Sequence, residues 1–157
     1  MSTRPPRWLF VCSANICRSP MARAIAAWEA DRRGLDLDVD SAGTLGILDA
    51  PADPKAAQVA MEIGLDLLAH RSKGVTPELL AWADRILVME DEHLAAIGTL
   101  APDAVDRVIP IGRVIGVGGI TDPHGSWFLR PYRRCRDDLR AAVDRLIAGP
   151  AGRPVPT

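Results

Sequence analysis

"RWLFVCSANICRSPMARAIAAWEADRRG" spans residues 7–34, and its residues follow the order of a strand, a short loop and a helix. The first six residues form a short apolar run, which is typical of a buried strand. Ser19 and Pro20 indicate a helix start, with serine as the cap and proline in the first turn, and Gly34 indicates the helix end. A strand that leads through a short loop into a helix predicts an α/β fold.

The rest of the chain repeats this alternation. Residues 35–43, "LDLDVDSAG", alternate apolar and polar side chains and predict a half-buried strand. Further strands are predicted at "RILVM" (85–89) and "DRVIPI" (106–111), where Pro110 indicates the edge of a sheet. Helices are predicted at 53–64, 76–83, 91–98 and 131–149. We therefore expect a single α/β domain with a four-stranded parallel sheet and helices on both faces.

Length and composition limit the class of protein. The 157 residues, 48% of them hydrophobic, suit one globular domain, which we expect over residues 1–150, with a flexible C-terminal tail at 151–157. A formal net charge of −1 predicts no bulk attraction to nucleic acid or to a membrane. No apolar run reaches membrane-spanning length, and "MSTRPPRW" lacks the apolar centre of a signal peptide. Three cysteines predict no disulfide framework, so we expect a cytoplasmic protein.

The loop between the first strand and the first helix carries residues that suit anion binding. Five residues separate Cys12 from Arg18, which lets the backbone turn several N–H groups inward at a helix N-terminus. Arg18 adds a planar guanidinium that matches two phosphate oxygens. Electropositive surroundings favour the nucleophilic thiolate form of Cys12. We expect Cys12 to attack a bound phosphoryl group and form a cysteinyl-phosphate intermediate.

Three further residues fit the same chemistry. Asn15 suits a left-handed turn and can hold the loop through side-chain hydrogen bonds. Ser19 can donate its hydroxyl to the Cys12 sulfur and so improve it as a leaving group. Asp122, in "TDPHG", can protonate the leaving oxygen and then activate water. Asp-Pro is also a common turn signal, so the residues alone leave the role of Asp122 open.

Three motifs, together with an aspartate late in the chain, Asp122, resemble the low-molecular-weight protein tyrosine phosphatases over roughly residues 7–148. The motifs are "VCSANICRSPMA" (11–22), "DSAGT" (40–44) and "HRS" (70–72). The resemblance implies the same parallel-sheet fold, a phosphorylated protein as substrate and inorganic phosphate or another oxyanion as a ligand of the loop. It implies neither a metal nor an organic cofactor.

The resemblance also implies roles for individual residues. Cys12 is the implied nucleophile, Arg18 the phosphate clamp and Asp122 the general acid. The implied phosphate-binding and loop-supporting residues are Ser13, Ala14, Asn15, Ile16, Cys17, Ser19, Ser41 and His70. The expected wall of the substrate pocket consists of Ile47, His124 and Trp127.

Cys17 has two open interpretations. It matches the second loop cysteine of the family, which in several members forms a reversible disulfide with the nucleophile under oxidation. The alternative is that Cys17 only packs at the helix start.

The expected activity is hydrolysis of phosphotyrosine in proteins, with two alternatives. The "DPHGS…Y" region resembles the branch of the family that removes phosphate from arginine, although Ile16 stands where that branch carries threonine. The other alternative is a catalytically inactive phosphate-binding module.

Three features outside these motifs favour structural roles. Cys135 lies on an apolar helical stripe with Tyr132, Leu139, Val143 and Leu146, which predicts core packing. The arginines at 130, 133, 134 and 136 predict a solvated helix face. His93 is predicted to be an exposed residue on a short helix.

Overall fold

Four parallel strands form the sheet in the computed structural model, which describes residues 4–149. The order across the sheet is β2-β1-β3-β4, and β4 lies at an edge, as Pro110 predicts. The strands are β1 (Arg7–Cys12), β2 (Asp38–Gly43), β3 (Arg85–Val88) and β4 (Val108–Pro110). The predicted fold class is confirmed. The predicted tail at 151–157 lies outside the described residues.

Five α-helices and two short 3-10 helices connect these strands within residues 4–149. The α-helices are α1 (Arg18–Arg32), α2 (Pro54–Met61), α3 (Pro77–Trp82), α4 (Asp91–Leu100) and α5 (Arg130–Ala148). The 3-10 helices are Pro102–Arg107 and Ile111–Ile115. Among the described helices, none combines the length and the apolar character that a membrane crossing requires.

Helices cover both faces of the sheet because successive strand residues point to opposite sides. Phe10 of β1 packs in a core cluster with buried residues of α1, α2 and α5. Leu9 and Val11 pack on the other face with Leu80 of α3 and Ile97 of α4. Burial of side chains of this size stabilises the fold by about 1.5–3 kcal/mol each. The central strand β1, covered on both faces, is therefore a rigid support for the loop that follows it.

The last helix, α5, packs as its apolar stripe predicts. The five stripe residues Tyr132, Cys135, Leu139, Val143 and Leu146 are all buried. α5 lies against α1, and the Cys135 thiol near the start of α5 contacts the thiol of Cys17, directly before α1.

Two local predictions about the first helix and the second strand are wrong. Cys17 occupies the N-cap position of α1 without a side-chain capping bond, and Ser19 lies inside the helix, where its hydroxyl has other partners. β2 begins at Asp38 because its pairing with β1 starts at Arg7. Residues 35 and 37 precede the strand, and their apolar side chains pack against the core.

Candidate active site

A small cup lies at the carboxyl end of β1, between the loop 12–18 and the segment that carries Asp122. Ligands of parallel α/β sheets bind at this end of the strands. The cup holds about 30 Å³ and is lined by Cys12, Ala14, Ile16, Cys17, Arg18, Asp122 and His124. The structure thus brings the predicted nucleophile, phosphate clamp and general acid to one place.

Asn15 is the residue that holds the loop 12–18 in shape. It is fully buried and adopts a left-handed conformation with φ of 60°. Its amide Nδ2 donates to Ser19 Oγ at 2.8 Å and to Ser41 Oγ at 2.9 Å, and its Oδ1 accepts the Lys73 N–H at 3.0 Å. Its carbonyl accepts a hydrogen bond from His70 Nε2 at 2.6 Å. The start of α1, the strand β2 and the segment 70–73 therefore all bond to this one residue of the loop.

The Ser19 hydroxyl connects this network to the thiol. Ser19 Oγ lies 2.9 Å from Cys12 Sγ, and it already accepts a hydrogen bond from Asn15. Its own proton is therefore available to the sulfur, so Ser19 can stabilise negative charge on Cys12.

Arg18 is buried at the rim of the cup, with acceptors on two sides. Its Nη1 donates to the Ile120 carbonyl at 2.8 Å and to the Glu90 carboxylate, and its Nη2 lies 3.5 Å from Asp122 Oδ2. Burial acts to lower the pKa of Arg18, but Glu90, Asp122 and Cys12 together raise it above its ordinary value. The guanidinium therefore remains charged and fixed in orientation, as an anion clamp requires.

His93 is fully buried beside the loop, so the prediction of an exposed residue is wrong. Its Nδ1 accepts the Glu90 N–H at 3.0 Å, and its Nε2 donates to Ser13 Oγ at 2.9 Å. Burial, together with the charge of Arg18, lowers the pKa of His93, so the imidazole is held neutral. Sequence reasoning missed it, although Glu90 and His93 have the spacing of a helix-capping pair directly after β3.

Glu90, Glu92 and His93 also bring three potential metal ligands within 4.8 Å of one another. Both ring nitrogens of His93 are engaged in hydrogen bonds, and Glu90 binds Arg18. Glu90 and His93 already have partners in the protein, so we assign these two residues to the support of the loop.

Asp122 lies across the cup from the loop 12–18. His124, two residues later, holds the segment that carries Asp122. The Asp122 side chain is 44% exposed, and its Oδ1 accepts the His124 N–H at 3.0 Å. His124 Nδ1 donates to Asp53 Oδ2 at 2.8 Å, and the Tyr132 hydroxyl donates to the same oxygen at 2.7 Å. Asp53 also caps α2 through the Lys55 N–H, which confirms the predicted cap.

Comparisons with known proteins agree with this geometry. Residues 7–150 match the family described as low molecular weight phosphotyrosine protein phosphatase. This chain belongs to that family.

Relatives and solved structures cover most of the chain. A protein-arginine-phosphatase of Geobacillus stearothermophilus is 35% identical over 90% of this chain and 94% of that protein. The low molecular weight protein-tyrosine-phosphatase Etp of Escherichia coli K12 is 35% identical over 74% of this chain and 76% of its own length. The crystal structure of a low molecular weight protein tyrosine phosphatase from T. tengcongensis is 34% identical, with a TM-score of 0.85, and covers 90% of this chain and 97% of that one. The chain is thus a low molecular weight phosphatase, as its motifs predict.

The residues expected to form the pocket wall of this phosphatase lie in different places. His124 lines the cup together with Ile16. Trp127 is 90% exposed and borders an adjacent groove rather than the cup. Ile47 is 41% exposed and is not among the described residues that line the cup, and its carbonyl accepts a hydrogen bond from Ser72 Oγ.

The arginines at the start of α5 divide into two groups. Arg133 and Arg136 both bind the carboxylate of Glu62 at 2.7 Å, which ties α5 to the end of α2. Arg130 and Arg134 are exposed, as predicted for a solvated face.

Proposed function

We propose that this low molecular weight phosphatase hydrolyses phosphotyrosine in protein substrates through a cysteinyl-phosphate intermediate. The observation that supports the proposal is that Cys12, Arg18 and Asp122 line one small cup at the carboxyl end of β1. Hydrolysis of a phosphate ester requires a nucleophile, an anion clamp and a proton donor on one bound group.

The first chemical step transfers the phosphoryl group to the protein. The backbone N–H groups of the loop and the Arg18 guanidinium hold the phosphate oxygens. The Cys12 thiolate attacks phosphorus, the bond from phosphorus to the tyrosine oxygen breaks, and the carboxylic acid of Asp122 gives its proton to that oxygen. The products of this step are tyrosine and cysteinyl phosphate on Cys12.

The second step returns the enzyme to its starting state. The Asp122 carboxylate takes a proton from a water molecule that attacks phosphorus, and the bond from phosphorus to sulfur breaks. The Ser19 hydroxyl, 2.9 Å from Cys12 Sγ, stabilises the thiolate that leaves. Inorganic phosphate is released from the loop.

Phosphoarginine is the second candidate substrate. It is favoured by the identity of 35% over 144 residues with a relative named as a protein-arginine-phosphatase. The apolar side chain of Ile16 in the cup wall favours an aromatic ester over a polar guanidinium. We therefore place phosphotyrosine first.

We further propose that the protein works in the cytoplasm, without nucleic-acid or membrane partners. Its three cysteines are free thiols, which suits a reducing compartment. Its formal net charge of −1 supplies no general attraction to polyanions.

A redox role for Cys17 as the disulfide partner of Cys12 remains a proposal. Hydrogen bonding to the Cys135 thiol and burial raise the pKa of Cys17, so it is held as a thiol. Peroxide treatment followed by mass-spectrometric mapping of disulfides tests the proposal. A Cys12–Cys17 bond supports it, whereas irreversible oxidation of Cys12 with Cys17 unchanged contradicts it.

Turnover of p-nitrophenyl phosphate, a phosphotyrosine peptide and phosphoarginine tests the proposed function. We expect Cys12→Ser to abolish turnover and Asp122→Asn to lower it by about 10²–10⁴-fold on the phosphotyrosine peptide. Asp103→Asn, which changes an exposed carboxylate on another surface, is the matched control and should behave as wild type.

Each alternative has its own result in this experiment. Preference for phosphoarginine over the phosphotyrosine peptide would replace the first candidate with the second. A wild-type protein that binds phosphate but turns over none of the three substrates would identify a phosphate-binding module and contradict the proposed activity.

A further inference from the structure

The position of the general acid depends on the segment that carries it. We call residues 121–128 the acid loop; it precedes α5 and contains Asp122. The Asp122 side chain is 44% exposed, and its nearest charged partner is Arg18, at 3.5 Å. An exposed carboxyl group on a loop needs further contacts to stay above a bound phosphate, because loops without them are mobile.

The next turn of the acid loop supplies such a contact. Two residues after Asp122, the imidazole of His124 donates to Asp53 Oδ2 at 2.8 Å. The following residue, Gly125, has φ of 90°, a left-handed conformation that turns the chain here without the strain a side chain would add. The contact and the turn together fix the path of the loop just beyond the general acid.

Asp53 is a rigid acceptor for this contact. Its residue is only 6% exposed, and its carboxylate also accepts hydrogen bonds from the Tyr132 hydroxyl and the Lys55 N–H. Burial acts to raise the pKa of Asp53, but the hydrogen bonds from His124, Tyr132 and the backbone hold it below its usual range. The carboxylate is therefore charged, and a charge-assisted hydrogen bond to it is stronger than a neutral one.

The same residue also touches the phosphate-binding loop. The backbone N–H of Asp53 donates to the carbonyl of Ile16 at 2.8 Å. One residue at the start of α2 thus holds the loop with Cys12 and Arg18 through its backbone, and the acid loop through its side chain. The relative position of nucleophile and acid depends on this bridge.

We propose that His124 is a positioning residue, which holds Asp122 over the cup through its hydrogen bond to Asp53. The inference rests on the proposed function, because it assigns Asp122 the role of proton donor. His124 acts on the reaction through Asp122, so its loss should affect the step in which a proton reaches the leaving oxygen.

The dependence of the rate on the leaving group distinguishes a positioning role of His124 from a general structural role. A phenol of low pKa leaves with little help, whereas phenol itself, like tyrosine with a pKa of about 10, needs a proton. We therefore measure kcat/KM on aryl phosphates from p-nitrophenyl phosphate to phenyl phosphate, because kcat/KM includes departure of the phenol. The inhibition constant of inorganic phosphate measures whether the cup still binds an anion with the same affinity.

Three variants give the expected pattern. His124→Ala should lower kcat/KM about tenfold on phenyl phosphate and at most about threefold on p-nitrophenyl phosphate, with phosphate inhibition unchanged. His124→Asn should restore most of the loss, since its side-chain N–H replaces the Nδ1–H. Ser126→Ala, which removes a hydroxyl bonded only within the acid loop among the described contacts, is the control and should keep the wild-type dependence.

Failure of the inference on His124 and failure of the proposed function give different results. A loss of equal size on every aryl phosphate, no loss in His124→Ala, or no rescue by His124→Asn would overturn the role of His124 while leaving the phosphatase activity established. A wild-type protein inactive on the whole series would overturn the proposed function first, and the inference with it.

Discussion

One residue, Asn15, combines the left-handed backbone conformation of the phosphate-binding loop 12–18 with the hydrogen bonds that hold this loop. Its left-handed backbone suits asparagine or glycine, and its buried amide makes three hydrogen bonds. These two properties can be separated by substitution. Glycine keeps the backbone conformation and removes the hydrogen bonds, whereas alanine removes the hydrogen bonds and adds strain at φ of 60°.

We expect Asn15→Gly to lower the free energy of unfolding by about 2–4 kcal/mol, because three partners, of which Ser19 and Ser41 are buried, lose a hydrogen bond. Asn15→Ala should be less stable still, by about 1 kcal/mol. Urea unfolding followed by circular dichroism measures both values. Equal stability of the two variants would show that the left-handed backbone adds no strain for alanine, and wild-type stability in either would contradict the role of the network.

At the level of elements, the end of β2 supports the loop through close backbone contact. A Cβ atom added to Gly43 would lie 2.5 Å from the Ser13 carbonyl oxygen and 2.9 Å from the Ala14 carbonyl carbon. Both neighbours are backbone atoms, so the loop itself would have to move. The glycine in "DSAGT" is therefore required by the approach of the loop to the strand.

Gly43→Ala should raise the inhibition constant of inorganic phosphate and lower kcat/KM on p-nitrophenyl phosphate, each by about tenfold or more, because displaced N–H groups no longer match the anion. Gly118→Ala is the matched control, since an added Cβ there meets no atom within 4 Å. Steady-state kinetics with phosphate as inhibitor gives both values. Identical constants in Gly43→Ala and wild type would show that the loop tolerates the displacement.

Across the whole molecule, local residue patterns predicted most of the elements, whereas several hydrogen bonds between distant positions did not follow from those patterns. The order of strands and helices, the Asp53 cap and the loop 12–18 follow from local patterns. The contacts from His93 to Ser13, 80 positions apart, and from Tyr132 to Asp53, 79 positions apart, do not. They exist because parallel strands bring their carboxyl ends, and the helix starts that follow, to one edge of the sheet.

Two histidines that make long-range hydrogen bonds, His70 and His93, give the fold a pH dependence. His70 Nε2 donates to the Asn15 carbonyl, and His93 bridges Glu90 and Ser13. Burial is the main cause that lowers the pKa of each, so each is neutral in the folded protein over a range in which an unfolded histidine takes up a proton. The unfolded state then binds more protons, and stability falls as the pH drops below about 6.5.

We expect the free energy of unfolding to fall between about pH 7.5 and about pH 5.5, by at most about 1.4 kcal/mol per pH unit from each histidine. Loss of the neutral imidazole would release the Glu90 N–H from His93, so acid weakens the support of the phosphate loop and of the fold together. His70→Gln and His93→Gln should each be less stable than wild type near neutral pH and lose less stability on acidification. Urea unfolding at both pH values measures this. A wild-type protein at least as stable at the lower pH, or unchanged pH dependence in both variants, would show that these two histidines do not link proton uptake to unfolding.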